Sequence, residues 1–242
     1  MVQTVNDSNI AKNLAQVRLR MQAAASDARR DAAALCLIAV SKTRTADEIE
    51  QAYQAGQLDF GENYLQEALP KLEALQHLPL VWHYIGPIQS NKTRAVAEHF
   101  AWVHGVESFR IARRLSDQRP AEMPPLNICL QINIDEEASK SGLPPVPEKL
   151  AELALQVAEL PRLRLRGLMA IPAPHENRIE QRAAFARLKR LLVHVPGGDV
   201  LSMGMSDDLE AAILEGATHL RIGTAIFGER PAKAVNKADS MP

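Results

Sequence analysis

Leu35-Cys36-Leu37-Ile38-Ala39-Val40-Ser41-Lys42-Thr43-Arg44 is the stretch from which the fold is read. Six apolar residues run unbroken and a lysine stands just beyond them. Such a run, followed by a helix, reads as a strand buried on both faces of a parallel sheet. The helix is announced by Thr45-Ala46-Asp47-Glu48, a capping box in which Thr45 and Glu48 satisfy two backbone amides reciprocally. Lys42 therefore belongs at the carboxyl end of the first strand, on the rim where α/β folds place their chemistry. Two readings of this lysine stay open. Partly sunk in apolar surroundings, it would lose hydration of its charged form and offer a nucleophilic amine. Alternatively, its stem packs on the strand end and its ammonium reaches water.

Working outward, a strand–helix alternation fills the chain. Upstream, Ile10, Leu14, Val17 and Met21 recur at helical spacing and predict a helix over about 7–30. Downstream, Gly56 stops the helix that Thr45 begins. Further strands are expected at Asp59–Tyr64, Val81–Gly86, Trp102–Val106, Asn127–Ile134, Leu163–Ile171, Val200–Met205 and His219–Phe227. Helices are expected between them, one capped by Ser108 and one opened by Pro147. Eight strands alternating with helices predict a single (β/α)8 TIM barrel, an α/β fold, with the first helix as an addition to it. A doubly wound open sheet is the alternative, because strand count alone does not prove closure. No Pro-, Gly- or Ser-rich linker divides the 242 residues, so one domain over 1–242 is expected, with a polar tail after about 230.

Composition excludes several function classes. A formal net charge of -1 gives no general electrostatic case for nucleic acid or an anionic membrane. No apolar segment reaches the length of a membrane span, and the N-terminus lacks a signal-peptide core. Cys36 and Cys129 lie inside strand-like runs, as core thiols of a reduced, cytoplasmic protein would. The 7 histidines are scattered without ligand spacing, so no metal site is expected.

In a barrel, polar residues at strand ends converge on one face. Strand one offers Lys42 and strand two Asn63; strand seven leads to Ser206, and strand eight carries Arg221, Gly223 and Thr224. Phosphate sites in barrels recur after strands seven and eight, where hydroxyls and amides face an oxyanion. Each residue also has a structural alternative. Ser206 could cap the helix of Asp207-Asp208, Arg221 could be an ion-pair partner and Gly223 a packing glycine. Asn91-Lys92-Thr93-Arg94 reads better as a solvated helix start than as a substrate site.

The chain resembles the pyridoxal 5'-phosphate (PLP) homeostasis protein family, the YggS-like proteins. The resemblance rests on Ala39-Val40-Ser41-Lys42, Phe60-Gly61-Glu62-Asn63, His83–Lys92 and Ser139-Lys140-Ser141-Gly142. It rests also on Gly167-Leu168-Met169, Ser202–Asp207 and Arg221–Gly228, and extends from about residue 10 to Arg230. It implies a barrel like the N-terminal domain of alanine racemase, with PLP in Schiff-base linkage to Lys42. It also implies that Ser206, Gly223 and Thr224 hold the phosphate while Arg221 faces the pyridine nitrogen. Asn63 joins these as a cofactor-binding residue, and Lys140 is the competing lysine. A guanidinium only donates, so Arg221 would disfavour the protonated ring that makes PLP a strong electron sink. Alanine racemase gains its second proton-transfer group from an additional β-domain, and the barrel here consumes nearly the whole chain. The expected function is therefore a non-catalytic PLP-binding protein that buffers or delivers the cofactor, as a monomer, with apo PLP-dependent enzymes as partners. A PLP-dependent racemase or lyase, and a cofactor-free barrel using Lys42 on a phosphorylated sugar, are the alternatives.

Overall fold

The computed structural model describes residues 7–137 and 140–229; Ser139 of the Ser139–Gly142 motif and the tail from Arg230 lie outside them. The apolar run forms β1 (Cys36–Val40), buried from Leu37 onward. It pairs in parallel with β2 (Asp59–Glu62) and with β8 (His219–Ile222), through registers such as Ala39↔Phe60 and Ile38↔Arg221. One strand bridging the second and the last closes the sheet. Between them run β3 (Val81–Tyr84), β4 (Trp102–Val106), β5 (Leu126–Ile132), β6 (Leu163–Ala170) and β7 (Val200–Ser202). The order is a closed barrel in chain sequence, which excludes the open doubly wound sheet.

The connecting helices start and stop on local signals. The helix α1 (Asp7–Asp27) precedes the barrel, and α2 (Ala46–Gln54) carries the expected capping box. Thr45 N donates to Glu48 Oε2 at 2.8 Å, and Glu48 N donates to Thr45 Oγ1 at 3.2 Å. Such a cap stabilises by about 1 kcal/mol. The helices α3 (Leu65–Ala74), α4 (Thr93–His99) and α5 (Phe109–Gln118) follow, the last capped by Ser108. Pro147 opens α6 (Pro147–Ala158), and α7 (Arg178–Leu191) and α8 (Leu209–Leu214) complete the outer ring.

Helix α1 is bolted to the end of the barrel sequence. It buries Ile10, Leu14, Val17 and Met21, the stripe its periodicity predicts; full burial of each aliphatic side chain contributes about 1.5–3 kcal/mol. Asn13 Nδ2 donates to Ile226 O (2.9 Å), Arg20 Nε pairs with Glu210 (2.7 Å) and Arg20 Nη2 donates to Ser206 O (3.0 Å). The added helix thus fixes the loops after β7 and β8.

Several strands end earlier than expected. Beyond β8, Thr224–Phe227 is not strand but a helical turn, α9. Both Ile226 N and Phe227 N donate to Gly223 O at 2.9 Å, so the apolar run is buried by curling inward. A short apolar run does not distinguish these outcomes by periodicity. Strand β7 ends at Ser202 rather than Met205 because Gly204 takes φ +93, a left-handed conformation outside the β region. A Cβ at Gly204 would also stand 2.6 Å from that of Ala212. Among the described residues, no helix is long and apolar enough to cross a membrane.

Candidate functional site

A cavity of about 320 Å³ opens at the carboxyl ends of the strands, within the size range of small-ligand sites. Lys42, Asn63, Ser206, Arg221, Gly223 and Thr224 all line it, together with Val40, Ile85 to Pro87, Ile171, Met205 and Asp207. Convergence of these six residues is what barrel geometry predicts for the ends of β1, β2, β7 and β8.

Lys42 sits half-buried in the turn after β1, where Arg44 N donates to Ser41 O at 3.0 Å. Thr43 holds φ +65 there, costing on the order of 1–3 kcal/mol for a β-branched residue. Its amide donates to Glu67 Oε2 at 3.3 Å. Beneath the turn lies an ion pair that sequence reasoning missed. Lys71 Nζ, from α3, donates to Glu62 Oε1 at 2.6 Å and to Ser41 O at 3.0 Å, while Ser41 Oγ donates to the same Glu62 oxygen at 2.6 Å. Glu62 is fully buried, which pushes its carboxyl pKa up, and the adjacent Lys71 ammonium offsets part of that rise. This pair clamps the carbonyl just before Lys42. The available signal is Glu62 within the Phe60–Asn63 motif, but nothing local names Lys71 as its partner.

Asn63 follows β2 and its backbone packs against Gly86, where a Cβ would come within 2.5 Å of Asn63 O. Only glycine admits that approach. Asn63 Oδ1 is buried in the cavity wall with no hydrogen-bond partner among the described residues. Arg221 lies on β8 and is buried. Its Nη1 donates to Ser202 Oγ (2.8 Å) and its Nη2 to Ala170 O (2.9 Å). Burial lowers its pKa to about 10, which leaves it a cation at neutral pH. No ion-pair partner to Arg221 within salt-bridge distance occurs among the described residues.

Ser206 is not a helix cap. Asp208 occupies the N-cap of α8, and Asp208 Oδ1 accepts from Met205 N at 2.6 Å. Ser206 Oγ instead accepts from Ala225 N at 3.3 Å, joining the β7 and β8 loops. Among the described residues its hydroxyl donates to no acceptor, which leaves that proton for the cavity it lines. At Gly223 a Cβ would meet Val40 no closer than 3.5 Å, and φ is −114. The protein itself therefore does not demand glycine at this cavity-lining position.

Lys140 opens into a neighbouring cavity with Asn133 and Ser141, which shares Ile85, Pro87 and Ile171 with the first. Its ammonium pairs with Glu137 at 2.6 Å. Asn91 and Lys92 form the turn before α4, with Lys92 at its N-cap, and Thr93 and Arg94 begin the helix. Of the histidines read as scattered, His83, His104 and His219 meet inside the barrel. At that end Cys36, Asp59 and His83 place one ligand-type atom each within 4.8 Å of one another. Periodicity could not reveal this, because the residues come from separate strands.

The family model for the alanine racemase N-terminal domain matches residues 5–231. The pyridoxal phosphate homeostasis protein of Pseudomonas aeruginosa is 62% identical over 224 residues, covering 92% of this chain and 96% of that protein. This chain belongs to the pyridoxal phosphate homeostasis protein family. The Escherichia coli K12 member is 55% identical over 233 residues, covering 92% of this chain and 97% of its own. Among solved structures, PipY of Synechococcus elongatus with PLP bound is 36% identical with a TM-score of 0.77, covering 90% of this chain and 100% of that one.

Proposed function

We propose that this family member binds PLP in the cavity at the carboxyl mouth and serves PLP homeostasis by buffering or delivering it. The observation that carries the reading is one small cavity holding an amine, a buried guanidinium and two hydroxyls. The residues fit the group: the unpartnered Asn63 Oδ1 awaits a donor, and Gly223 leaves open a space the protein does not itself need. PLP, when bound, supplies an aldehyde to an amine and a ring that withdraws electrons best when its nitrogen is protonated.

This chain's residues then divide the work. Lys42 provides the amine at the end of β1. Ser206 and Thr224 supply hydroxyl donors, and Gly223 a close backbone, for the phosphate. Arg221 would face the ring nitrogen as a pure donor, and its guanidinium is far too basic to hand a proton over. It would therefore leave the nitrogen in its acceptor form, which suits retention of the cofactor better than stabilisation of a carbanion. General acid–base chemistry needs a positioned group on each side of the substrate carbon, and Lys42 is the one that this reading assigns. The protein is read as a non-catalytic cytoplasmic monomer that yields PLP to apo PLP-dependent enzymes.

Borohydride reduction of the PLP-loaded protein, followed by peptide mapping, tests the site. The expected result is a PLP-derived mass on the peptide carrying Lys42; attachment at Lys140 alone would overturn the assignment. Amino-acid turnover under PLP saturation, with α-proton exchange into deuterated water followed by NMR, tests the absence of catalysis. Turnover at about 1 per second or faster would replace the carrier with an enzyme.

A further inference from the structure

Barrel interiors are ordinarily filled by branched apolar side chains, yet part of this one is polar. Asp59 begins β2, His83 lies on β3, His104 on β4, Ser202 ends β7 and Arg221 lies on β8. Four contacts join them in series. His83 Nε2 meets Asp59 Oδ1 at 3.0 Å, and His83 Nδ1 meets His104 Nε2 at 3.0 Å. His104 Nδ1 meets Ser202 Oγ at 2.8 Å, and Arg221 Nη1 donates to that same oxygen at 2.8 Å. The series runs from the amino-terminal end of the barrel, where the Asp59 side chain is 31% exposed, to the wall of the cavity. His83, His104 and Ser202 are fully buried.

The carboxylate end dictates its direction. A guanidinium only donates, so Ser202 Oγ must accept from Arg221. A carboxylate only accepts, so His83 must present a proton on Nε2 to Asp59. A neutral imidazole then has an accepting Nδ1, which takes the Nε2 proton of His104. The Nδ1 of His104 in turn accepts the hydroxyl proton of Ser202. Each of the four contacts then has one donor and one acceptor. Burial lowers the pKa of both imidazoles, consistent with neutral rings. The reverse arrangement would face an imidazole lone pair toward the carboxylate, or require an extra buried proton.

We infer that Asp59, His83, His104 and Ser202 are positioning residues for Arg221, forming a one-way hydrogen-bond relay that fixes how the guanidinium is presented to the cavity. The inference rests on the proposed role of Arg221 beside the cofactor ring. Its consequence is long-range: a carboxylate at the opposite end of the barrel governs the electronic setting of the cavity.

The test uses ¹⁵N spectra of the imidazoles in the full chain stripped of PLP, together with the absorption band after PLP is restored. In the parent, His83 and His104 should both be neutral with the proton on Nε2. Asp59→Asn offers an amide that can donate or accept, so a substantial Nδ1–H population should appear at His104, two hydrogen bonds away. The PLP band should shift in both Asp59→Asn and Ser202→Ala, while Asp59→Glu should restore the parent tautomer and band. Trp102 stacks on His83, with ring centres 5.6 Å apart and planes at 11°, but takes no part in the relay. Trp102→Phe should therefore leave the His104 tautomer as in the parent. Predominant Nδ1–H at either ring in the parent, or an unchanged His104 in Asp59→Asn, would overturn the relay. So would an equal tautomer change in Trp102→Phe, which would reduce the effect to packing. If the tautomers behave as stated but Arg221→Glu leaves the PLP band unmoved, the ring contact of Arg221 fails while the relay stands.

Discussion

The two ends of the barrel treat polar side chains in opposite ways. At the carboxyl mouth, loops after β1, β2, β7 and β8 hold Lys42, Asn63, Ser206 and Thr224 around open space. At the amino-terminal end, Asp59, His83 and His104 are bonded to one another and packed against Trp102. Asn63 Oδ1 at the mouth is buried without a partner among the described residues, whereas His83 and His104 in the interior have partners on both nitrogens. The contrast teaches that this barrel keeps hydrogen-bonding capacity at the mouth, where a ligand can use it, and saturates it along the His83–His104 series. Burying a polar group is unfavourable unless it is bonded.

The comparison breaks first at Lys42. Lys42→Ala should abolish reductive attachment of PLP to the chain, read by intact mass after borohydride treatment. Undiminished labelling of the variant would move the nucleophile to Lys140 and to the neighbouring cavity.

Beneath that turn, Lys71→Met should leave Glu62 buried without its cation, destabilising the fold by about 3–5 kcal/mol in urea titrations. The sign of its pH dependence follows from Glu62. Its folded pKa is already raised by burial, and loss of Lys71 raises it further. Protonation neutralises the stranded carboxylate, so the deficit relative to the parent should shrink as pH falls. A deficit that grows with acidity would exclude the buried pair as its cause.

At the interior end the expected effect is smaller. His219 has its pKa lowered by burial from 6.5 to about 4. The folded state then binds fewer protons than the unfolded chain between those values, so stability is complete above 6.5 and declines as pH falls toward 4. This residue accounts for at most about 3–4 kcal/mol of that decline. His219→Gln should flatten the corresponding part of the curve in urea titrations across that range. A curve of unchanged slope would show that His219 is not buried neutral.

Least of all, Thr224→Val should weaken PLP retention by about 1–3 kcal/mol, roughly 5- to 150-fold, if its hydroxyl meets the phosphate. Equal dissociation rates for variant and parent would remove Thr224 from the site and narrow the cradle to Ser206 and the backbone.

Much of this molecule was decided locally. The apolar run ending at Val40, the Thr45–Glu48 box, the Ser108 cap and Pro147 each act within a few residues. Strand–helix alternation followed from them, and with it the placement of all six candidate site residues at strand ends. Tertiary structure alone closed the sheet, by pairing β1 with β8 across most of the chain. It turned Thr224–Phe227 into a helix, because burial of Ile226 and Phe227 favoured curling over extension. It drew Ser206 away from the helix cap and onto the amide of Ala225. It also joined Glu62 to Lys71 and threaded Asp59, His83, His104 and Ser202 into one series. Periodicity and capping report a residue's near neighbours along the chain. Partners on different strands are set by which side chains the closed barrel turns inward at the same height, and that is fixed only when the strands pair.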